Sequence, residues 1–213
     1  ILLVSYTVIL CMGNGYTCDE SNILSIIDRQ LFGEAHLYQK SPIDPEGFVS
    51  TLSAIAHTCI GFSCGKWIIQ SHQTENKVLR LFLTGFILMS IGYLLADALP
   101  LNKRIWSPTF VLVTCGAASM SLATLMYYID IRNKQKWCRF FIIFGVNPLF
   151  LYVLSEVLAI MMGSTGWKAA AYAAIHSGIT DAYLASAVYA LVFTLFLGCI
   201  GYPLYLKKIY IKL

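Results

Sequence analysis

One uninterrupted apolar segment constrains the fold of this chain more than any other feature of its sequence. It covers residues 48–69, where His57 and Lys66 are the only charged or imidazole side chains. About 20 apolar residues span the hydrocarbon core of a bilayer as a helix. Asp44 and Pro45 precede the segment and suit the N-cap and the first position of a helix. The segment therefore predicts a transmembrane helix that begins at this turn.

Small residues recur along one face of this predicted helix. The members of the face are spaced by three or four residues, and they are Ser50, Ala54, His57, Gly61 and Gly65. Gly61 and Gly65 form a GxxxG pair, which lets a second helix approach closely in a membrane. The pattern predicts a packed seam that contains His57. An ionisable side chain in a span favours a functional role, and a core histidine bonded to a neighbouring carbonyl is the alternative.

The remaining composition agrees with a polytopic membrane protein. Of the 213 residues, 58% are hydrophobic and 12% are charged, against about 25% charged in soluble domains. Four further apolar segments are long enough to span a bilayer: residues 78–99, 106–129, 140–162 and 183–206. The net charge of +4 does not indicate nucleic-acid binding, because the basic residues lie in short loops. The seven cysteines have no metal-binding spacing, so no metal is expected.

The sequence thus predicts an all-α fold, a polytopic transmembrane helix bundle with five complete spans and one partial N-terminal helix. Residues 1–13 form an apolar run that is too short to span and has no basic flank. We interpret this run as part of a cut helix. The chain is then the C-terminal part of a longer protein whose N-terminal half is missing, and residues 1–213 form a single membrane domain.

Basic residues divide unequally between the two predicted sides of the membrane. Ten lie on one side: Lys66, Lys77, Arg80, Arg132, Lys134, Lys136, Arg139, Lys207, Lys208 and Lys212. Five lie on the other: Arg29, Lys40, Lys103, Arg104 and Lys168. The positive-inside rule puts the ten, and the C-terminus, in the cytoplasm. The loops at residues 14–47 and 163–182 are then outside, and each is expected to carry a surface helix.

A proline interrupts the predicted span at residues 140–162. Pro148 removes a backbone hydrogen bond and disfavours helical geometry at Asn147, so the helix should break or kink there. Asn147 is then expected to cap a new helix, and the free N–H groups at such a break suit an anion. Arg132 and Lys134 lie shortly upstream, where a phosphate-bearing ligand would enter from the cytoplasm. A proline kink beside ordinary cytoplasmic charges is the alternative.

Farther along the same span, Glu156 and Tyr152 share a helical face. Glu156 lies about 13 Å beyond the break at 1.5 Å per residue. A carboxylate at that depth is expected to face the bundle interior and to need a partner. Structural pairing and a functional role are both compatible with this position.

Several motifs, in order along the chain, carry a resemblance to a known family. They are IDRQLFGEAHLY (27–38), DPEGFVSTLSAI (44–55), GFSCGK (61–66), LNKRIWSPTFVL (101–112) and FGVNPLFLYVLSE (144–156). Over nearly all its length the chain resembles the C-terminal half of the heparan-alpha-glucosaminide N-acetyltransferase-like membrane proteins, which include a lysosomal enzyme and many bacterial relatives. The resemblance implies transfer of an acetyl group from cytoplasmic acetyl-CoA to a glucosamine on the other side.

The resemblance also implies which positions matter. The shared motif positions are His36, Tyr38, Asp44, Pro45, Glu46, Gly47, Asn102, Trp106, Gly145, Asn147 and Tyr152. The family's catalytic histidine lies in the N-terminal half, so His36, His57, His72 and His176 do not inherit that role. Candidate acetyl-CoA-binding residues are Asn147, Gly145, Arg132, Lys134 and Lys66. Substrate-side candidates are His36, Asp44 and Glu46, and buried polar candidates are His57, Glu156 and Tyr152.

The expected function is therefore part of an acyl-CoA-dependent transmembrane acetyltransferase in a bacterial inner membrane. Amide formation needs a base that takes the amine proton and donors that stabilise an oxyanion. Expected partners are the lipid bilayer, the missing N-terminal half and an amino sugar, and self-association is left open. The alternatives are a secondary transporter or half of one, which a broken helix also fits, and a structural membrane fragment without activity of its own.

Overall fold

The computed structural model describes residues 1–38, 41–70, 73–179 and 181–211, so Lys40, His72 and Lys212 lie outside the described residues. The described part is helical and has no β-strand. Its helices are α1 (Leu2–Met12), α2 (Ile23–Phe32), α3 (Thr51–Gln70), α4 (Thr74–Leu94), α5 (Pro108–Met126), α6 (Cys138–Val146), α7 (Pro148–Ser164), α8 (Trp167–Gly178) and α9 (Ala182–Leu206). A 3₁₀ turn at Glu34–His36 follows α2, and a π-helical turn at Tyr127–Ile131 continues α5.

Four of the described helices are long and apolar enough to cross a membrane: α3, α4, α5 with its π-helical continuation, and α9. Helices α6 and α7 pass the same test only as a pair, and the pair is bent by 81°. The described residues thus provide four spans, or five if the bent pair crosses as one. The predicted all-α, polytopic membrane fold is confirmed, and α1 is the short apolar helix expected at the N-terminus.

The chain forms two compact units. Unit 1 covers Ile1–Asn133 and holds α1 to α5, and unit 2 covers Lys134–Leu213 and holds α6 to α9. Each unit is described by itself below. The single membrane domain over residues 1–213 stays a prediction.

A buried apolar cluster holds the loops of unit 1 together at one end. Its members come from α1, α2 and the loops before α3 and α5, and they are Tyr6, Leu10, Leu24, Ile43 and Ile105. We call this the loop end of unit 1. Helix α2 is the amphipathic helix that the sequence predicts, but it buries Leu24 in this cluster. Asn22 caps α2, because its side-chain oxygen accepts the Leu24 N–H at 2.9 Å.

Helix α3 begins later than the sequence predicts. Asp44 does not cap it, since one carboxylate oxygen accepts the Glu46 N–H at 2.9 Å and the other accepts the Tyr38 N–H at 3.1 Å. Asp44 therefore stabilises a turn that ends well before Thr51, where α3 starts. An aspartate bonds to a backbone N–H two residues later in an isolated turn as well as at a helix start. The prediction that Asp44 and Pro45 begin the helix is wrong for this reason.

Helices α4 and α5 pack backbone against backbone in unit 1. A β-carbon on Gly116 would lie 2.6 Å from the Gly85 carbonyl oxygen, and one on Gly85 would lie 2.7 Å from the Gly116 carbonyl oxygen. About two helical turns farther along α4, a β-carbon on Gly92 would lie 2.7 Å from Val113 Cγ2. Small residues allow this approach between membrane helices. The close helix contact of unit 1 is therefore the α4–α5 seam.

The small-residue face of α3 is open instead. No described heavy atom lies within 4 Å of a β-carbon placed on Gly61 or Gly65. Helix α3 buries a different face, which carries Ser53, Ala56 and Cys64. The predicted packed seam at Gly61 and Gly65 is wrong, because residue spacing defines a helical face but does not decide which face meets a neighbour.

Unit 2 packs α9 against the bent pair. A β-carbon on Gly198 would lie 3.1 Å from Phe144 Cζ, and one on Gly201 would lie 3.1 Å from Ile143 Cγ2. The break between α6 and α7 falls at Asn147, as the sequence predicts. Helix α8 occupies the segment where a second short helix is predicted, and the outside location of residues 163–182 stays a prediction.

Candidate functional site

A broad, open hollow lies at the loop end of unit 1, between α3 and the loop before α5. Its volume is about 570 Å³, and it is lined by Ala54, His57, Thr58, Gly61, Phe62 and Trp106. His57 lies about 9 Å along α3 from its start at 1.5 Å per residue. The open small-residue face of α3 therefore forms the floor of this hollow, which we call the His57 hollow.

The backbone of Trp106 is anchored to α3. The Ser53 hydroxyl donates to the Trp106 carbonyl oxygen at 2.6 Å, and the Trp106 N–H donates to the Lys103 carbonyl at 3.1 Å. Trp106 has φ of +52°, in the left-handed region that non-glycine residues rarely adopt. Such strain persists only where surrounding contacts hold it, and it concentrates at functional sites. The turn presents the indole ring to the His57 hollow.

Two polar atoms of the residues that line this hollow, His57 Nδ1 and Trp106 Nε1, are buried and have no hydrogen-bond partner among the described residues. The two rings lie 5.9 Å apart between centroids and are tilted by 55°. A buried polar group without a partner costs about 1–3 kcal/mol. The alternative in which a neighbouring carbonyl binds this His57 nitrogen does not occur among the described residues. The pair is thus arranged to receive a polar group from outside the described chain.

A second unsatisfied group lies beneath the loop that leads to α3. Asp28 on α2 is 1% exposed, and its Oδ1 accepts the Phe48 N–H at 2.8 Å. Its Oδ2 has no hydrogen-bond partner in the described ranges and lies against Gly47, where a β-carbon would overlap it. Burial raises the pKa of the Asp28 carboxyl, and the negative charge of nearby Asp44 raises it further. The hydrogen bond from the Phe48 N–H lowers this pKa, but the net shift is upward. The Asp28 carboxyl therefore fixes the DPEG turn, which needs glycine at position 47.

We expect the Asp28→Asn substitution to change how stability depends on pH. An unfolded aspartate titrates near pH 4, at about 3.9. Because the folded pKa is higher, the stability tied to neutral Asp28 is complete below that value and is lost as pH rises through the folded pKa. The melting temperature of the unmodified protein should fall relative to the variant as the pH rises above about 4.

The matched control for this titration is Asp19→Asn. Asp19 is exposed, and the Ser21 hydroxyl, by donating to its carboxylate, lowers the Asp19 pKa. The stability that ionised Asp19 contributes is therefore fully present above the pKa of an unfolded aspartate, and it is lost as the pH falls through the lower folded pKa. Thermal unfolding across the pH range should give opposite slopes for the two variants relative to the unmodified protein. The same slope for both would contradict the assigned environment of Asp28.

A different hollow lies at the opposite end of unit 1, where α3 ends and α4 begins. Its lining mixes polar and apolar side chains and consists of Trp67, Ile68, Gln70, Asn76, Lys77, Arg80 and Leu81. Lys77 and Arg80 are three residues apart on α4 and therefore share a helical face. Two cations, side-chain amides and an indole ring suit an anionic ligand with an aromatic base. Lys66 is exposed beside Trp67 but does not line this hollow, which we call the basic hollow.

In unit 2, the side chain of Asn147 binds the C-terminal segment. Its Nδ2 donates to the Ile209 carbonyl at 2.8 Å, and its Oδ1 accepts the Ile211 N–H at 2.8 Å. Asn147 is 3% exposed and stands at the N-cap position of α7, but its side chain makes no capping hydrogen bond. The expectation that this amide caps α7 is therefore wrong. Both hydrogen bonds of the Asn147 side chain go to the C-terminal segment instead.

The similarity to known proteins extends along most of the chain and is not limited to one hollow. The chain is 27% identical over 204 residues to heparan-alpha-glucosaminide N-acetyltransferase of Mus musculus, covering 88% of this chain and 30% of that protein. It is 28% identical over 204 residues to the Homo sapiens protein of that name, covering 88% of this chain and 29% of that protein. The chain is related to these N-acetyltransferases. The resemblance inferred from the motifs is confirmed.

The chain spans about 30% of the length of the two curated relatives. No protein-family model matches it. Two of the motifs that suggest the resemblance have a physical reading in the structure. The NKRIWS motif is the turn that strains Trp106 and begins α5, where the Ser107 hydroxyl oxygen accepts the Phe110 N–H at 3.2 Å. The DPEG motif is the turn that Asp28 holds.

Other residues singled out from the sequence lie apart from the His57 hollow and the basic hollow. His36 is exposed in its 3₁₀ turn, with Nδ1 at 3.0 Å from the Phe32 carbonyl oxygen. Glu46 is exposed, and Gly145 has nothing within 4 Å of a β-carbon. Arg132 and Lys134 are exposed on different units.

Tyr152 and Glu156 do not lie in the interior of unit 2. Tyr152 is 62% exposed on α7, and Glu156 is exposed on the same side. The prediction that these two side chains are buried is wrong, because depth along a span does not decide which way a helical face points. The functional roles suggested for Tyr152 and Glu156 stay predictions.

Proposed function

We propose that this chain is part of a transmembrane acetyltransferase that passes an acetyl group from acetyl-CoA to the amine of a sugar. The observation that carries the proposal is the similarity to two N-acetyltransferases over 88% of the chain. The proposal includes acetyl-CoA as the donor, a sugar amine as the acceptor and transfer across the membrane. It also includes the activity of the whole protein. The same holds for a bacterial inner membrane location with a cytoplasmic C-terminus.

The basic hollow is the proposed entry point for the CoA nucleotide. Phosphates of CoA would be attracted by Lys77 and Arg80, and its adenine could stack on Trp67. The positive-inside rule places this end of unit 1 in the cytoplasm, where acetyl-CoA is found. Lys66, Arg132 and Lys134 add positive charge on the same predicted side. In unit 2, considered by itself, the Asn147 amide is free for a ligand only if the C-terminal segment leaves it.

The loop end of unit 1 is the proposed acceptor side. The His57 hollow is wide enough for a sugar ring, and it presents an indole and an imidazole to it. In the reaction, the amine nitrogen bonds to the thioester carbonyl carbon, the carbon–sulfur bond breaks, and the amine proton passes through a base to the leaving thiolate. Because the resemblance implies a catalytic histidine outside these residues, the proposed role of this chain is to supply walls and binding groups.

The proposal is tested with the complete protein in detergent, radiolabelled acetyl-CoA and glucosamine. We expect labelled N-acetylglucosamine to form. The double variant Lys77→Ala and Arg80→Ala should raise the KM for acetyl-CoA about tenfold at low salt, and less at high salt because screening weakens charge interactions. The matched control removes two cations at the loop end, Lys103 and Arg104. Equal effects of the two double variants, or no acetylated product, would overturn the proposal.

A secondary transporter is the second candidate, and one observation favours it. The 81° bend between α6 and α7 is a broken apolar helix pair, which transporters use to build substrate sites. Sealed vesicles that contain the complete protein distinguish the two functions. A transporter would move an unmodified solute across the membrane, whereas the acetyltransferase would yield a covalently acetylated sugar.

A further inference from the structure

We propose that His57 and Trp106 form a subsite that recognises the acetamido group of an N-acetylated amino sugar. This inference rests on the proposed function and names the group that the His57 hollow binds. Within the part of the chain that the structure describes, neither the buried His57 Nδ1 nor the buried Trp106 Nε1 has a hydrogen-bond partner, and both residues line the same open hollow. The subsite is thus defined by two unmet hydrogen-bonding groups on rings that line one space.

The chemistry of the two nitrogens selects the ligand group. The indole Nε1 of Trp106 can only donate, so its partner must be an acceptor. The Nδ1 of neutral His57 can accept when the proton is on Nε2. A secondary amide offers a carbonyl acceptor and an N–H donor on neighbouring atoms, and it satisfies both nitrogens at once. A free ammonium offers donors only, and it leaves Trp106 unsatisfied.

The geometry of the hollow accommodates such a group. The two rings contact each other, with centroids 5.9 Å apart, so an amide would reach both from the open side of the hollow rather than from between them. The outer torsions of histidine and tryptophan rings are broad, so modest rotations turn both nitrogens into the hollow. Gly61 leaves the floor open, with nothing within 4 Å of a β-carbon. Phe62 lines the same hollow and offers an apolar surface to the acetyl methyl group.

The location agrees with the product of the proposed reaction. Ser53 and the turn at residues 103–106 fix Trp106 at the loop end of unit 1. The loop end is the proposed acceptor side, where the new amide forms. An amide-selective subsite would hold the acetyl carbonyl by the Trp106 N–H and the amide N–H by His57. Both are binding and positioning roles, and they need no proton transfer by His57.

The test uses the complete protein in lipid nanodiscs, without acetyl-CoA. Trp67, Trp137 and Trp167 are replaced by phenylalanine, and the part of the fluorescence change that a further Trp106→Phe substitution removes is taken as the Trp106 signal. We expect N-acetylglucosamine to change Trp106 fluorescence saturably. Glucosamine should bind about tenfold more weakly, and glucose more weakly still, because each leaves a buried group unpaired.

Substitutions at His57 then separate recognition from shape. His57→Phe should weaken N-acetylglucosamine binding about tenfold, and His57→Gln, which can still accept, should retain most of it. His176→Phe is the matched control, since that imidazole stacks on Tyr172 in unit 2 at 5.7 Å. If His57→Phe does not fold, the ligand preference and His57→Gln decide the question.

The outcomes of this test differ from those of the activity assay. Equal affinity for the three sugars, or an unchanged affinity in His57→Phe, would overturn the subsite even if acetylation occurs. Amide-selective binding that depends on His57, without any acetyl transfer, would keep the subsite and overturn the proposed function. The subsite would also be overturned if the protein is folded, as judged by a cooperative thermal unfolding transition, and its fluorescence does not respond to N-acetylglucosamine.

Discussion

Replacing Gly116 by alanine should destabilise unit 1 by about 3 kcal/mol or more, since overpacking costs about 1–3 kcal/mol and more at a backbone contact. The new β-carbon would lie 2.6 Å from the Gly85 carbonyl oxygen and 2.6 Å from the Met89 backbone nitrogen. Neither atom can rotate away as a side chain can, so α4 and α5 must separate. We expect a lower thermal unfolding midpoint in detergent and loss of the folded monomer on heating.

The matched control is Gly61→Ala on α3. Its β-carbon meets nothing within 4 Å, so it adds no clash. Alanine also favours a helix interior over glycine by about 1 kcal/mol. Gly61→Ala should therefore be as stable as the unmodified protein or slightly more stable. Equal losses for Gly116→Ala and Gly61→Ala would contradict the α4–α5 seam and restore the seam that the GxxxG pattern predicts.

Replacing Asn147 by leucine should release the C-terminal segment of unit 2. Two hydrogen bonds hold Ile209 and Ile211 to this side chain. Each is worth about 1 kcal/mol, so their loss should raise the population of the released tail about 30-fold. Trypsin cleaves after Lys207 and Lys208, and cleavage of a transiently opened segment follows its open population. We expect tail cleavage to accelerate by that factor.

Gly145→Ala serves as the control for this release, because it lies near the same break and its β-carbon would meet nothing within 4 Å. It should leave the cleavage rate unchanged. Mass spectrometry of the trimmed chain identifies the cleaved bond. A cleavage rate in Asn147→Leu that matches Gly145→Ala would show that the tail does not depend on this amide. The variant also reports whether a released tail improves acetyl-CoA binding.

The features that follow from local covalent chemistry could be predicted from the sequence. Apolar segment length predicts the spans, and Pro148 predicts the break because proline removes a backbone donor wherever it stands. Contacts between distant segments could not be predicted. The Gly85–Gly116 approach depends on how α4 and α5 meet, and the tail's hold on Asn147 depends on residues more than 60 positions away.

For the candidate site, too, single residues could be predicted from the sequence but contacts between distant segments could not. His57 draws attention in the sequence as an ionisable residue in a span, and Trp106 does so only through a family motif. Their pairing depends on a strained turn that brings two distant segments together, and spacing contains no sign of it. Asp28 was missed as a buried group. Its position four residues after Leu24, on the buried face of α2, is the signal that could have revealed it.

The most direct test of the account is the sidedness of acetyl transfer in sealed vesicles of one orientation. An impermeant thiol reagent reports the orientation through an Asn133→Cys substitution in a protein that lacks its native cysteines. With a glucosamine acceptor on the face of the loop end, the account predicts product only when acetyl-CoA is supplied to the face of Lys77 and Arg80. Product formed only with acetyl-CoA on the loop-end face would contradict it.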